Sequence, residues 1–178
     1  MILNERYSKE NAKKLRELYE SAFPKSEKKP FSTIKALTRR GDMKIFSIES
    51  DDGAFIGLAI MILYSDIALL DYLAIEEKKR GQGFGGRALE ILKKMYDGKR
   101  LLLEIEDTAS DTPDTKSRLE RKRFYISHGM SVMPYKVNLF GVDMEILTFG
   151  GEVDFIEYHN VFVKVFSPLA ARKVQLID

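Results

Sequence analysis

Four of the six residues from Gly81 to Gly86 are glycine, within "EEKKRGQGFGGRALEIL", a stretch that leads from a run of charge into a helical pattern. The amino terminus of a helix leaves backbone N–H groups unpaired and carries a partial positive charge. Glycine lets such a backbone approach an anion closely and take up positive φ angles. Arg80 and Arg87 flank the glycines and add mobile positive charge. These residue types at this spacing make a phosphate cradle. A tight turn without a ligand is the ordinary alternative for an isolated glycine motif, but four glycines between two arginines favour the cradle.

Three phosphate chemistries compete for the segment. A P-loop nucleotide site needs Lys and then Ser or Thr after its last glycine, and this chain has Arg87 and Ala88. A dinucleotide site matches the G-x-G-x-x-G spacing of Gly81, Gly83 and Gly86, with Glu104 or Glu106 about twenty residues further on as the acidic residue. That site also requires its first glycine directly after a strand, and here "EEKKR" intervenes. The chain has too few βα units to complete such a fold. The third pattern is Arg80, two residues, Gly83, one residue, Gly85.

The elements around the loop follow from periodicity. Ala12, Leu15, Leu18, Tyr19 and Ala22 recur at helical spacing behind Ser8 as N-cap, and Pro24 ends that helix. "STIKALTRRG" predicts a second short helix stopped by Gly41, and "MILNERY" one edge strand. From 43 to 75 the pattern is β: "MKIFSIES", an Asp52-Gly53 turn, "AFIGLAIMILYS" and "IALLDYLAI". The glycine segment then opens a helix to about Tyr96, with Leu89, Leu92 and Tyr96 on one face and Asp97-Gly98 closing it. "RLLLEIE" is a further strand. "DTASDTPDTKS" reads as a polar loop, with Thr112 and Pro113 suited to cap and begin a helix through "RLERKRFYISH". "YKVNLF", a Gly141-Val142 turn and "DMEILTF" predict a closing hairpin. The order gives a mixed α/β fold of the α+β type.

Composition narrows the classes of function. A chain of 178 residues with 44% hydrophobic residues can bury its own core. It has no cysteine, which excludes disulfides, thiolate nucleophiles and Cys-type zinc sites, and its two histidines are far apart, so no metal is expected. Charge is nearly balanced, 29 basic against 27 acidic residues, which argues against a nucleic-acid or membrane surface. No apolar run reaches the ~18 residues of a membrane helix, and "MILNERYSKE" lacks the order of a signal peptide. A soluble, cytoplasmic protein is the expectation.

With the strand before it and the helix after it, the Arg80, Gly83, Gly85 pattern resembles the central motif of the GNAT superfamily of acyl-CoA-dependent N-acyltransferases, with Gln82 and Gly86 in familiar company. "LLLEIE" followed by "RKRFYISHGM" resembles the family's next strand and its helix, which carries a basic residue, Phe-Tyr, and then Gly before an apolar residue. The resemblance covers about residues 1–149, read as an acetyltransferase domain, with 150–178 as a helical extension packed on it. Asn, frequent in the family after the fifth strand, is absent from "DTASDTPDTKSRLE".

The resemblance implies a mostly antiparallel central sheet, splayed between its fourth and fifth strands, with helices on both faces. Acetyl-CoA would enter as cosubstrate, its pyrophosphate on Arg80, Gly81, Gln82, Gly83, Phe84, Gly85, Gly86 and Arg87. Its pantetheine arm would lie along Leu73, Ala74 and Ile75, where a backbone N–H faces the thioester oxygen. Tyr125 matches the tyrosine that protonates the departing CoA sulfur. The acceptor would be a small-molecule amine or a peptide amino group, and Phe31, Tyr64 and the closing hairpin are candidates to shape its site. A non-catalytic CoA-binding or sensing module is the alternative.

Other chemistry-bearing residues have plainer readings beside the functional ones. Glu104 and Glu106 share one face of their strand; Glu104 is the candidate base, whereas Glu106 near the strand end reads as solvated. Asp71, an acid inside an apolar strand, is either an alternative base or salt-bridged. His128 reads as a helix C-terminal cap. Lys116, Arg118, Arg121, Lys122 and Arg123 read first as a solvated helix face and second as contacts to CoA phosphates. Phe155, Tyr158, Phe162 and Phe166 form an aromatic stripe on a predicted helix, for core packing or else for a homodimer contact or a wall of the acceptor pocket.

Overall fold

The structure, a computed structural model, describes residues 1–25, 27–109 and 113–177. Its residues group into two compact units, Met1–Leu63 with Leu70–Met95, and Tyr64–Leu69 with Tyr96 onward.

The first unit begins with β1 (Ile2–Asn4) and α1 (Lys9–Ala22). Ser8 caps α1, its side chain accepting from the Asn11 N–H at 3.0 Å, as its residue type predicts. Phe23, ahead of Pro24, is extended and ends the helix. Helix α2 (Phe31–Arg40) stops at Gly41, whose φ of 92° is left-handed. Strands β2 (Met43–Glu49), β3 (Phe55–Tyr64) and β4 (Ile67–Ile75) follow, and the order in this unit is β1-β2-β3-β4. The β1–β2 and β2–β3 pairings are antiparallel. Phe55 through Ile62 are buried at every position, so both faces of β3 are covered.

The buried stripe of α1 is Asn11, Leu15 and Tyr19. Asn11 sits on it because β2 offers a buried partner: Glu49 accepts from Asn11 at 2.8 Å and from Asn4 at 3.1 Å. Burial alone would raise the Glu49 pKa, but these donated bonds bring it below the usual carboxylate value. After β4 comes a 3-10 turn (Glu77–Lys79) and then α3 (Phe84–Met95), which buries Gly86, Ala88, Leu89 and Leu92. The charged lead-in to the glycines is therefore an ordered turn.

The second unit holds the first residues of β4, then β5 (Arg100–Glu106), α4 (Thr115–Ser127), β6 (Ser131–Leu139) and β7 (Val142–Phe149). After them come α5 (Phe155–Val165), α6 (Pro168–Ala171) and β8 (Val174–Leu176). Strands run β5-β7-β6-β8, with antiparallel pairing throughout. Helices with a mostly antiparallel sheet make the mixed α+β class that the element order predicts. Among the described residues, no helix is long and apolar enough to cross a membrane.

Three local expectations change. The hairpin turn is Phe140-Gly141, not Gly141-Val142; both residues have positive φ, 52° and 95°, and the Asn138 side chain accepts the Gly141 N–H at 2.9 Å. Strand β6 starts four residues before Tyr135, at Ser131, because a register shift between Val132 and Lys136 absorbs Pro134, which has no N–H for the ladder. Helix α4 has Asp114 at its N-cap without a side-chain capping bond, and Thr112, expected there, lies outside the described residues. The aromatic spacing after Gly151 does form α5, but the closing strand β8 is additional.

Gly57 of β3 sets how closely β4 can approach. A Cβ there would lie 2.2 Å from the Ala74 carbonyl oxygen. Gly57→Ala is expected to destabilise the protein by about 1–3 kcal/mol, as overpacking does. Urea denaturation checks this through a lower midpoint at unchanged slope, and an unchanged midpoint refutes the steric account.

Candidate functional site

The residues expected to hold a pyrophosphate are contiguous in the first unit. The end of β4, Leu73 to Ile75, is half-buried at Leu73 and Ile75 and buried at Ala74. The chain stays on the sheet one residue longer, since the Glu76 N–H donates to the Ile56 carbonyl at 2.9 Å. The 3-10 turn then carries it to Gly81 and Gly83, with φ of 73° and 78°. A Cβ at either would meet nothing within 4 Å, so backbone conformation, and not space, demands glycine at both. Gly85 and Gly86 instead lie inside the first turn of α3, where Gly86 is buried.

Helix α3 thus starts directly after two left-handed glycines, with Arg80, Gly81, Gln82 and Gly83 exposed around its amino terminus. The first N–H groups of a helix have no partner inside it, and the macrodipole favours an anion there. The two arginines are less mobile than expected. Arg80 turns back and donates from Nε to the Ile75 carbonyl at 3.1 Å. The Arg87 guanidinium lies 4.8 Å from the centre of the Phe84 ring. Gln82 donates to the Lys78 carbonyl at 3.1 Å, bracing the loop.

The second unit holds the candidate acid and base. Tyr125 is half-buried near the end of α4, in edge contact with Phe124 at 5.1 Å between ring centres. Burial pushes its phenol up to about 12, with Arg121 pulling weakly the other way. The group is therefore protonated throughout the neutral range. On β5, Glu104 accepts a 2.6 Å hydrogen bond from the hydroxyl of Tyr158, a fully buried side chain of α5. Tyr158 was visible only as part of an aromatic stripe; nothing in its spacing distinguishes a packing phenol from one that orients a carboxylate.

Glu106 is not solvated. It is buried and takes Arg118 at 2.9 Å and Arg121 at 3.0 Å. Lys122 pairs with the buried Glu145 of β7, and Asp107 with Lys136 at 3.1 Å. Three of the basic residues of α4 thus neutralise buried carboxylates of the sheet, which corrects the solvated-face reading: an acidic residue at a strand end can be buried when a helix brings arginines over it. Asp71 is salt-bridged to Lys29 at 2.7 Å. His128 caps α4 as expected, its Nδ1 lying 2.7 Å from the Phe124 carbonyl.

Helix α5 is itself fixed. Asp154 and Glu157 form a reciprocal capping box. Arg100, at the start of β5, holds the Glu157 carboxylate in a fork, with bonds of 2.9 and 2.8 Å, and reaches Asp66 with Nε at 2.8 Å. These bonds hold the Glu157 and Asp66 carboxyls below the usual range. The D-x-x-E spacing was readable in the sequence; the arginine that completes it is 57 residues away.

No protein-family model matches the chain. It is 31% identical over 112 residues, 62% of its length, to a putative acetyltransferase, YjbC, of Bacillus subtilis (strain 168); the match spans 55% of that relative, so the chain corresponds to about half of it. A solved putative acetyltransferase of the GNAT family from Bacteroides thetaiotaomicron superposes with a TM-score of 0.75, at 20% identity, over 93% of this chain and 98% of that one. An aminoglycoside 6'-N-acetyltransferase complexed with coenzyme A gives 0.65 at 16% identity, over 86% and 100%. The chain has the GNAT acetyltransferase fold, and the resemblance first carried by Arg80, Gly83 and Gly85 is a resemblance of the whole architecture.

The clamp on α5 carries a pH signature. Both carboxyls have depressed folded pKa values, so their contribution is present above their unfolded pKa of about 4 and is lost as pH falls through the folded values. Arg100→Met is expected to lower the urea midpoint at neutral pH, with the gap from the unaltered protein closing below about pH 4. A gap of equal size at about pH 7 and about pH 3 would remove the ion pair as the cause.

Proposed function

We propose that this protein is an acetyl-CoA-dependent N-acetyltransferase that transfers the acetyl group to a primary amine. The observation that carries the proposal is the loop from Arg80 to Arg87: two exposed, left-handed glycines directly ahead of a twelve-residue helix, on a fold shared with a coenzyme A-bound acetyltransferase. The pyrophosphate sits on the amides of Gly81 to Gly86, and the pantetheine arm follows Leu73, Ala74 and Ile75.

The reaction needs no covalent enzyme intermediate, which suits a chain without cysteine. A neutral amine attacks the thioester carbonyl, the tetrahedral oxyanion collapses, the C–S bond breaks, and the thiolate takes a proton. Tyr125, at the position of the family's tyrosine, is the proposed donor of that proton, and its buried phenol is protonated in the neutral range. Glu104, oriented by Tyr158, is the proposed acceptor of the amine proton, directly or through water. The acceptor is a small-molecule amine or a peptide amino group; aminoglycoside is the acceptor class named for one structural relative.

The test is thiol release from acetyl-CoA across a panel of polyamines, amino acids, aminoglycosides and peptides. Saturable release with at least one amine supports the proposal, whereas tight CoA binding without release from any of them would make the protein a CoA-binding module. Within that assay, Tyr125→Phe is expected to lower kcat by about 10²-fold or more with CoA affinity little changed. Because the phenol titrates near 12, the unaltered enzyme should lose no activity to Tyr125 ionisation up to about pH 10. Equal losses of kcat and CoA affinity in the variant would strip Tyr125 of the acid role.

A further inference from the structure

Asp71 lies in β4 with its side chain 3% exposed. A carboxylate so placed is costly unless both its oxygens are satisfied. Only one is satisfied by the described residues: Oδ1 takes the Lys29 ammonium at 2.7 Å, while Oδ2 is buried without a hydrogen-bond partner. The same ammonium stands 5.2 Å from the centre of the Tyr72 ring. Tyr72 in turn packs edge-on against Tyr19 at 5.0 Å and Phe23 at 4.8 Å, which fixes the ring that the ammonium faces. A buried carboxylate beside an aromatic face is the chemistry that recognises an alkylammonium.

Lys29 fills this place from a distance in sequence. It belongs to the segment between α1 and α2, and the backbone of that segment is held three ways. The Lys29 N–H donates to the Tyr72 hydroxyl at 3.1 Å, its carbonyl accepts from Tyr19 at 2.8 Å, and the Tyr72 hydroxyl donates to the neighbouring Glu27 carbonyl at 2.8 Å. The segment is thus anchored by tyrosines independently of the ion pair. The Lys29 side chain is 21% exposed, so its ammonium reaches Asp71 from the solvent side. An amine taking that place displaces the Lys29 ammonium from Asp71.

We infer that Asp71 and the Tyr72 ring form a binding site for a primary alkylammonium, and that Lys29 is its tethered occupant, exchangeable for an external amine. Lysine's own side chain marks the ligand class: a straight aliphatic chain ending in a primary ammonium. The free carboxylate oxygen accepts a second hydrogen bond from an ammonium not constrained by the tether. The inference concerns binding alone and holds or fails without acetyl-CoA.

The experiment is chemical rescue with n-butylammonium. Lys29→Ala leaves Asp71 unpaired and should melt at lower temperature. Adding n-butylammonium should raise that temperature saturably, beyond the effect of sodium chloride at equal ionic strength, and should do nothing specific for Lys29→Ala combined with Asp71→Asn. Calorimetry should give Lys29→Ala at least tenfold tighter n-butylammonium binding than the unaltered protein, because the tethered competitor is gone. In the unaltered protein with 13C-labelled lysine, the same titration should move the Lys29 Cε resonance saturably, a readout that needs no variant to fold. Rescue equal to that by sodium chloride, rescue that survives Asp71→Asn, or a Lys29 resonance that does not move would each overturn the site and leave the pair as a structural lock.

Discussion

The amino-terminal N–H groups of a helix cannot be satisfied within that helix, and α3 begins directly after the exposed, left-handed Gly81 and Gly83. Everything around that end follows from this constraint. The chain must leave β4, turn, and enter α3, and left-handed Gly81 and Gly83 do this where an L side chain would be strained. The strand end that feeds the loop is set by the close approach of Gly57 to the Ala74 carbonyl. Arg80 and Gln82 donate to backbone carbonyls of β4 and the 3-10 turn, which fixes the loop's path.

A second principle runs through the buried acids. Glu49, Glu106, Asp107 and Glu145 are all buried, and each is answered by donors from a helix, a strand or both. Such groups link elements and are costly to break. Asp71 and Glu104 are met differently. Asp71 keeps one oxygen without a partner among the described residues, and Glu104 is met by a neutral phenol where its neighbour Glu106 is met by two guanidinium groups.

The sequence made local features legible because local rules set them. Ser8 as a cap, Gly41 as a stop, the strands from 43 to 75 and the glycine loop all follow from nearest-neighbour sterics and periodicity. Features set by distant partners were not. The basic residues of α4 looked solvated because the acids that pull them inward lie on β5 and β7. Tyr158 looked like packing because its partner, Glu104, is 54 residues away. Strand β8 was missed because three residues carry no period of their own; its register against β6 creates it. The Phe140-Gly141 turn was misplaced by one residue because aromatic residues seldom take positive φ, and Asn138 stabilises it there.

The most direct test of the account is an amide-resolved NMR titration with coenzyme A and, separately, with pantetheine, which lacks the pyrophosphate. The account predicts that coenzyme A shifts the amide resonances of Gly81 to Arg87 saturably, while pantetheine leaves them in place. Coenzyme A binding with those amides unmoved, or equal shifts with pantetheine, would contradict it.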